Sequence, residues 1–159
     1  MGKTSEMQRL IRHYRDETGE EAVDMKKVAK WAAGKGWPMP RPADPIELLA
    51  KEFSKAARQE TKKDKVTGRS YRVNHSFTVT QGGQQLHLWI DIDNASHGPM
   101  LKSVTNRREQ MVGDGLHLLN DVEHWNRINP DQKQIELDLD LTLDVEWRRN
   151  SDEDEEDAA

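Results

Sequence analysis

Apolar residues first recur at Met7, Leu10, Ile11 and Tyr14, the i, i+3, i+4, i+7 spacing of one helix face, with Thr4 as a candidate cap before them and Gly19 ending the run. The pattern resumes after Asp24, a second candidate N-cap, with Met25, Val28, Ala29 and Ala32 on one side, and it stops at Gly34 and Gly36. Trp31 and Trp37 sit near that end and are expected to cover the core. The next stretch, "WPMPRPADP", holds Pro38, Pro40, Pro42 and Pro45, four of the six prolines. Alternating prolines fix their own φ and push each preceding residue toward extended backbone, so the stretch is a short, stiff connector. A third helix follows in "DPIELLAKEFSKAARQE", with Asp44 as N-cap, Pro45 at the first helical position and Glu47 in a capping-box position. Its apolar side carries Ile46, Leu49, Ala50, Phe53, Ala56 and Ala57, which predicts that Leu49 and Phe53 pack into the core.

The period then changes from 3.6 to 2. "YRVNHSFTVT" and "QLHLWIDID" alternate on either side of Gly82-Gly83, and a two-residue turn there fixes the register of an antiparallel hairpin. Val79 falls opposite Leu86, Phe77 opposite Leu88, His75 opposite Ile90 and Val73 opposite Ile92, so the large apolar residues share one face. On the other face Asn74 meets Asp91 and Arg72 meets Asp93. A fourth and longest helix is predicted over about 101–127, from a wide stripe that includes Leu101, Val104, Met111, Val112, Leu119, Val122 and Trp125. "NPD" at 129–131 turns the chain. "QIELDLDLTLDVEW" alternates Ile135, Leu137, Leu139, Leu141, Leu143, Val145 and Trp147 with polar residues, which predicts a strand over at least its first half. In its second half, Thr142 is an alternative cap for a short helix.

The length of 159 residues suits one ordinary domain, or a small domain with an appendage. An apolar fraction of 34% against a charged fraction of 33% predicts a thin core under much solvated surface. No apolar run approaches a membrane span and "MGKTSEMQRL" lacks the apolar stretch of a signal peptide, so the expected location is the cytoplasm, with no membrane partner. The absence of cysteine excludes a disulfide framework and a thiolate metal site.

Charge changes the picture more. The net charge of −5 divides into +6 over residues 1–75, −5 over residues 76–150 and −6 in the tail "SDEDEEDAA". An anionic partner responds to the local patch, not to the total. The tail, residues 149–159, is expected to be disordered and solubilising.

The order helix, helix, stiff turn, helix, glycine-tipped hairpin resembles that of a winged helix-turn-helix, in which the third helix enters the major groove and the hairpin is the wing. On the third helix, Lys51, Lys55, Arg58 and Lys62 fall at i, i+4, i+7 and i+11, within about 60° of arc and opposite the apolar side. The band continues through Lys63 and Lys65 to Arg69 and Arg72. These eight cations are the expected nucleic-acid-binding residues. The bland reading is a solvated helix face, since lysine is a good helix former and Glu47 to Lys51 is an ordinary i, i+4 pair.

The expectation is therefore an α+β protein: a winged-helix-like three-helix core with a β-hairpin wing over residues 1–95, then a long helix and C-terminal strand over 96–148. This second part completes the same core or forms a homodimer interface. The expected function is non-enzymatic, regulatory duplex-DNA binding without a cofactor, and the alternative is a protein–protein adaptor module. Asp114, His117, Asp121 and His124 stand on one side of the fourth helix at spacings able to offer a metal two or three ligands, but no further Cys or His completes the shell, so a solvated face is expected. "GKT" at 2–4 copies the end of a phosphate loop without its earlier glycine and strand. Trp89 on the hairpin's polar face would mark a contact surface if nothing covers it.

"RREQMVGDGLHLLNDVEHWNRINPDQKQIELDLDLT", residues 107–142, resembles the C-terminal part of small uncharacterised bacterial proteins in which an Arg-rich helix start, a "VGD" and an Asn-Pro turn precede a strand. The resemblance covers under a quarter of the chain. It implies a bacterial origin and a mobile or accessory gene setting, and it brings no activity with it.

Overall fold

The computed structural model describes residues 2–157, with side chains as far as residue 151. It is an α+β structure of five helices and two two-stranded antiparallel sheets among the described residues. Contacts divide the chain into two compact units, residues 1–52 and 53–159.

In the first unit, α1 (Lys3–Thr18) and α2 (Met25–Gly34) pack on each other. The cap of α1 differs from expectation: Gly2 occupies the N-cap position and no side chain caps the end, so Thr4 lies inside the helix. Gly19 ends α1 at φ +70°, donating its N–H to the Arg15 carbonyl, a backbone shape that glycine adopts without a Cβ penalty. The Asp24 carboxylate accepts the Lys26 N–H at 2.8 Å and starts α2 as the sequence predicts. Tyr14, Val28 and Ala32 are buried between the helices, and Trp31 stands edge-on to Tyr14 at 5.7 Å. After α2 the Trp37 N–H returns to the Ala32 carbonyl at 2.9 Å. Trp37, Pro38 and Pro40 thereby line an open apolar groove of about 530 Å³ with Met7, Leu10 and Met25.

Helix α3 (Pro45–Gln59) begins as predicted, with the Asp44 carboxylate accepting the Ile46 N–H at 3.0 Å. Its expected packing does not occur. Phe53 is 68% exposed, Ile46 72% and Leu49 48%, and no residue of α3 is buried. Its last turn is held from another side, where the Asn74 side-chain amide donates to the Ala57 carbonyl at 3.2 Å and to the Glu60 carboxylate at 2.8 Å. An amphipathic stripe states which face could be covered; here the face is not covered.

In the second unit, β1 (Thr61–Lys63) pairs with β2 (Ser70–Arg72), and β3 (Asn74–Gln81) pairs with β4 (Gln84–Asp91). The longer hairpin has the predicted register from Asn74↔Asp91 to Gln81↔Gln84, with Gly82 and Gly83 at φ +58° and +78°. Positive φ at both central residues is a type I′ turn, whose twist matches that of the strands. The register fails at its base, where Ser70–Arg72 leaves to join β1. Arg72 therefore pairs with Thr61 and not with Asp93, which instead accepts the Tyr71 hydroxyl at 3.1 Å.

Helix α4 (His97–Ile128) packs its first turns on β3. Ser103 is fully buried there and donates its hydroxyl to the Ser76 carbonyl at 2.6 Å. The predicted C-terminal strand is absent. Residues 133–141 have no neighbouring strand to pair with and run irregularly along α4, where Asn126 exchanges two hydrogen bonds with the Ile135 backbone, both 2.9 Å. Helix α5 (Thr142–Asp157) then begins with Thr142 as its first residue and not as its cap, and the Asp140 carboxylate accepts the Thr142 N–H. That hydrogen-bonding residue, through its hydroxyl and then its N–H, holds the Asp140 carboxyl below the usual carboxylate range. Helix α5 extends into the acidic tail as far as Asp157. Residues 158–159 of that tail lie outside the described residues.

Candidate nucleic-acid interface

Lys55 and Arg58 stand in the C-terminal half of α3, one and two turns after Lys51, and all three are exposed. Lys62 does not continue the helical row, because α3 ends at Gln59 and Lys62 lies on β1 opposite Tyr71. The 60° arc read from the sequence thus holds for three cations and ends there.

The remaining cations belong to the short β1–β2 hairpin, an element the sequence reading missed. Its strands have three residues each and no apolar alternation, so periodicity gives no signal. The signal lies in its loop. Asp64 accepts the Val66 N–H at 2.8 Å and the Thr67 N–H at 3.0 Å, and Gly68 follows at φ +70°, so "DKVTG" is an Asx-type turn closed by a glycine. The Thr67 and Val66 backbone N–H groups hold the Asp64 carboxyl below its ordinary value. Lys62, Lys63, Lys65 and Arg69 surround a cleft of about 710 Å³ whose floor includes Ser70, Tyr71 and Ile92. Its acids are Asp64, turned into its own loop, and Asp93, which accepts the Tyr71 hydroxyl. That hydrogen bond, with burial, raises the Tyr71 phenol. Arg72 is exposed at the end of β2, outside the cleft lining.

Trp89 is covered from one side. The Arg58 guanidinium lies 5.5 Å from the centre of its ring, a cation–π contact that ties the end of α3 to β4. His75 is a core histidine: it is buried at the start of β3, and its Nε2 must carry the hydrogen that the Arg72 carbonyl accepts at 2.8 Å. The longer hairpin carries no cation, since residues 73–96 contain neither Lys nor Arg. Positive charge thus lies on the last turns of α3 and on the short hairpin, and not on the glycine-tipped one, while α2 carries Lys26, Lys27 and Lys30 besides.

Asp114, His117, Asp121 and His124 do not converge, and no group of three or more His, Asp or Glu side chains able to hold a metal occurs among the described residues. His124 instead meets Arg127 at 3.1 Å. No helix among the described residues is long and apolar enough to cross a membrane.

Compared with known proteins, the chain matches no family model, no curated protein and no solved structure.

Proposed function

We propose that the chain binds duplex DNA without catalysing a reaction, through the lysine side of α3 and the β1–β2 hairpin. One observation carries this reading. Residues 55–72 hold seven Lys and Arg against two acids, and both acids are engaged within the fold, Glu60 by Asn74 and Asp64 by its own loop. Cations so arranged neutralise spaced phosphates and release their condensed counterions. In the winged-helix form of the proposal α3 approaches the major groove, supported by the order of three helices and a hairpin; phosphate contact comes from the short hairpin beside it.

The variant that tests the surface must spare Arg58, whose stacking on Trp89 is structural. Lys62→Ala with Lys65→Ala removes two exposed cations from the cleft rim. Fluorescence anisotropy on mixed-sequence duplexes at low salt is expected to show clearly weaker binding by this variant, an unchanged melting temperature, and no effect of Lys133→Ala. Equal affinity of the variant and the parent chain would refute the assignment.

A further inference from the structure

We infer that α4 and the segment after it form a homodimer interface in which the two copies of α4 run antiparallel. The helix has 32 residues, about 48 Å of length, yet only Ser103 is buried along it. In its N-terminal half, Leu101, Val104, Met111 and Val112 fall within about 100° of arc with Arg108 among them, and each of the four apolar residues is between 48% and 62% exposed. In its C-terminal half the same arc runs under residues 135–141, where Leu139 lies 4.0 Å from the space a Cβ would occupy on Gly115. Leu139 and Leu141 are themselves nearly half exposed. This apolar layer lacks the second layer that burial requires.

The chain leaves more surface exposed than its size requires. The chain exposes 13878 Å². A folded chain of 18.3 kDa exposes about 8,100 Å², and two separately folded pieces with the lengths of the two units about 9,700 Å² in total. The excess of roughly 4,000 Å² is spread over the whole chain, α3 and α5 included, and the bare arc of α4 is one part of it.

Charge identifies the occupant and its direction. Residues 97–112 carry Lys102, Arg107 and Arg108 against Glu109, a balance of +2. Residues 113–128 carry Asp114, Asp121 and Glu123 against Arg127, a balance of −2, and residues 129–141 add −3. A parallel pair would set like charge on like charge. A two-fold axis across the helix sets each basic half against an acidic half, and the contact is satisfied twice. The midpoint of α4 falls between residues 112 and 113, with Val112 on the bare arc.

The chain contains no cysteine, which makes single replacements clean probes. In the antiparallel pair, Val112→Cys is expected to be linked to its copy by a short bis-maleimide cross-linker, whereas Leu101→Cys is not, because its two copies stand about 35 Å apart. Sedimentation equilibrium is expected to give the parent chain twice its mass of 18.3 kDa, and Val104→Glu with Met111→Glu a single chain mass with unchanged helical circular dichroism. A monomeric parent chain at tens of micromolar overturns the inference. So does cross-linking through Leu101→Cys, or a dimer that survives both glutamates. None of these outcomes bears on DNA contact.

Discussion

Two residues show how much single groups contribute here. Ser103 fills a fully buried position between α4 and β3 with the hydroxyl that satisfies the Ser76 carbonyl. Ser103→Ala should destabilise the chain by about 0.5–1.5 kcal/mol, the net contribution of one hydrogen bond, as measured by urea unfolding. Asp64 sets the shape of the cationic loop. Its folded-state carboxyl is depressed by the Thr67 and Val66 N–H groups, so its contribution is complete above the unfolded-state value and is lost as pH falls through the lower folded-state value. Amide shifts of Val66 and Thr67 should therefore titrate with a midpoint below that of an ordinary aspartate, and Asp64→Asn should abolish the transition. The loop is exposed, and the expected change is in local order, not in global stability. The alternation pointed to neither residue's role. It identifies side chains that bury apolar surface, whereas Ser103 acts through a hydrogen bond to Ser76, which only the fold brings near, and Asp64 through bonds to Val66 and Thr67 in its own loop.

Among elements, the longer hairpin was the most legible, because its strand period, its Gly82-Gly83 turn and its paired apolar positions all specify one register. Gly83→Val forces a β-branched residue to φ +78° and should cost about 1–2 kcal/mol, whereas Gly82→Asn should be nearly neutral, as thermal unfolding would show. An equal effect of the two replacements would contradict the type I′ geometry. The base of that hairpin was misassigned because Tyr71 and Val73 continue its alternation, although Ser70–Arg72 already pairs with β1. Residues 135–141 misled in the opposite way: their alternation is genuine, but a strand also needs a partner, and α4 offers packing without a hydrogen-bonding edge. On α3 the sequence correctly placed the helix and its Asp44 N-cap, while Phe53 and Leu49 remained bare. Periodicity describes a face, and burial depends on what is placed against it.

For the whole molecule, charge distribution carries more than composition. A net charge of −5 would argue against an anionic partner, yet the chain is divided between a basic front, +6 over residues 1–75, and an acidic back. The measurement that tests DNA binding most directly is the salt dependence of affinity. If five or more of the cations at 51–72 meet phosphates, log K against log salt should fall with a slope of about −4.5 or steeper on duplex DNA. Replacing Lys55, Lys62 and Lys65 by Ala should flatten that slope by roughly 2.7, three contacts at about 0.9 each, while the melting temperature stays unchanged. No detectable binding by the parent chain at about 50 mM salt, or a triple variant with the parent's slope, would contradict the account and leave the cationic band a solvated surface.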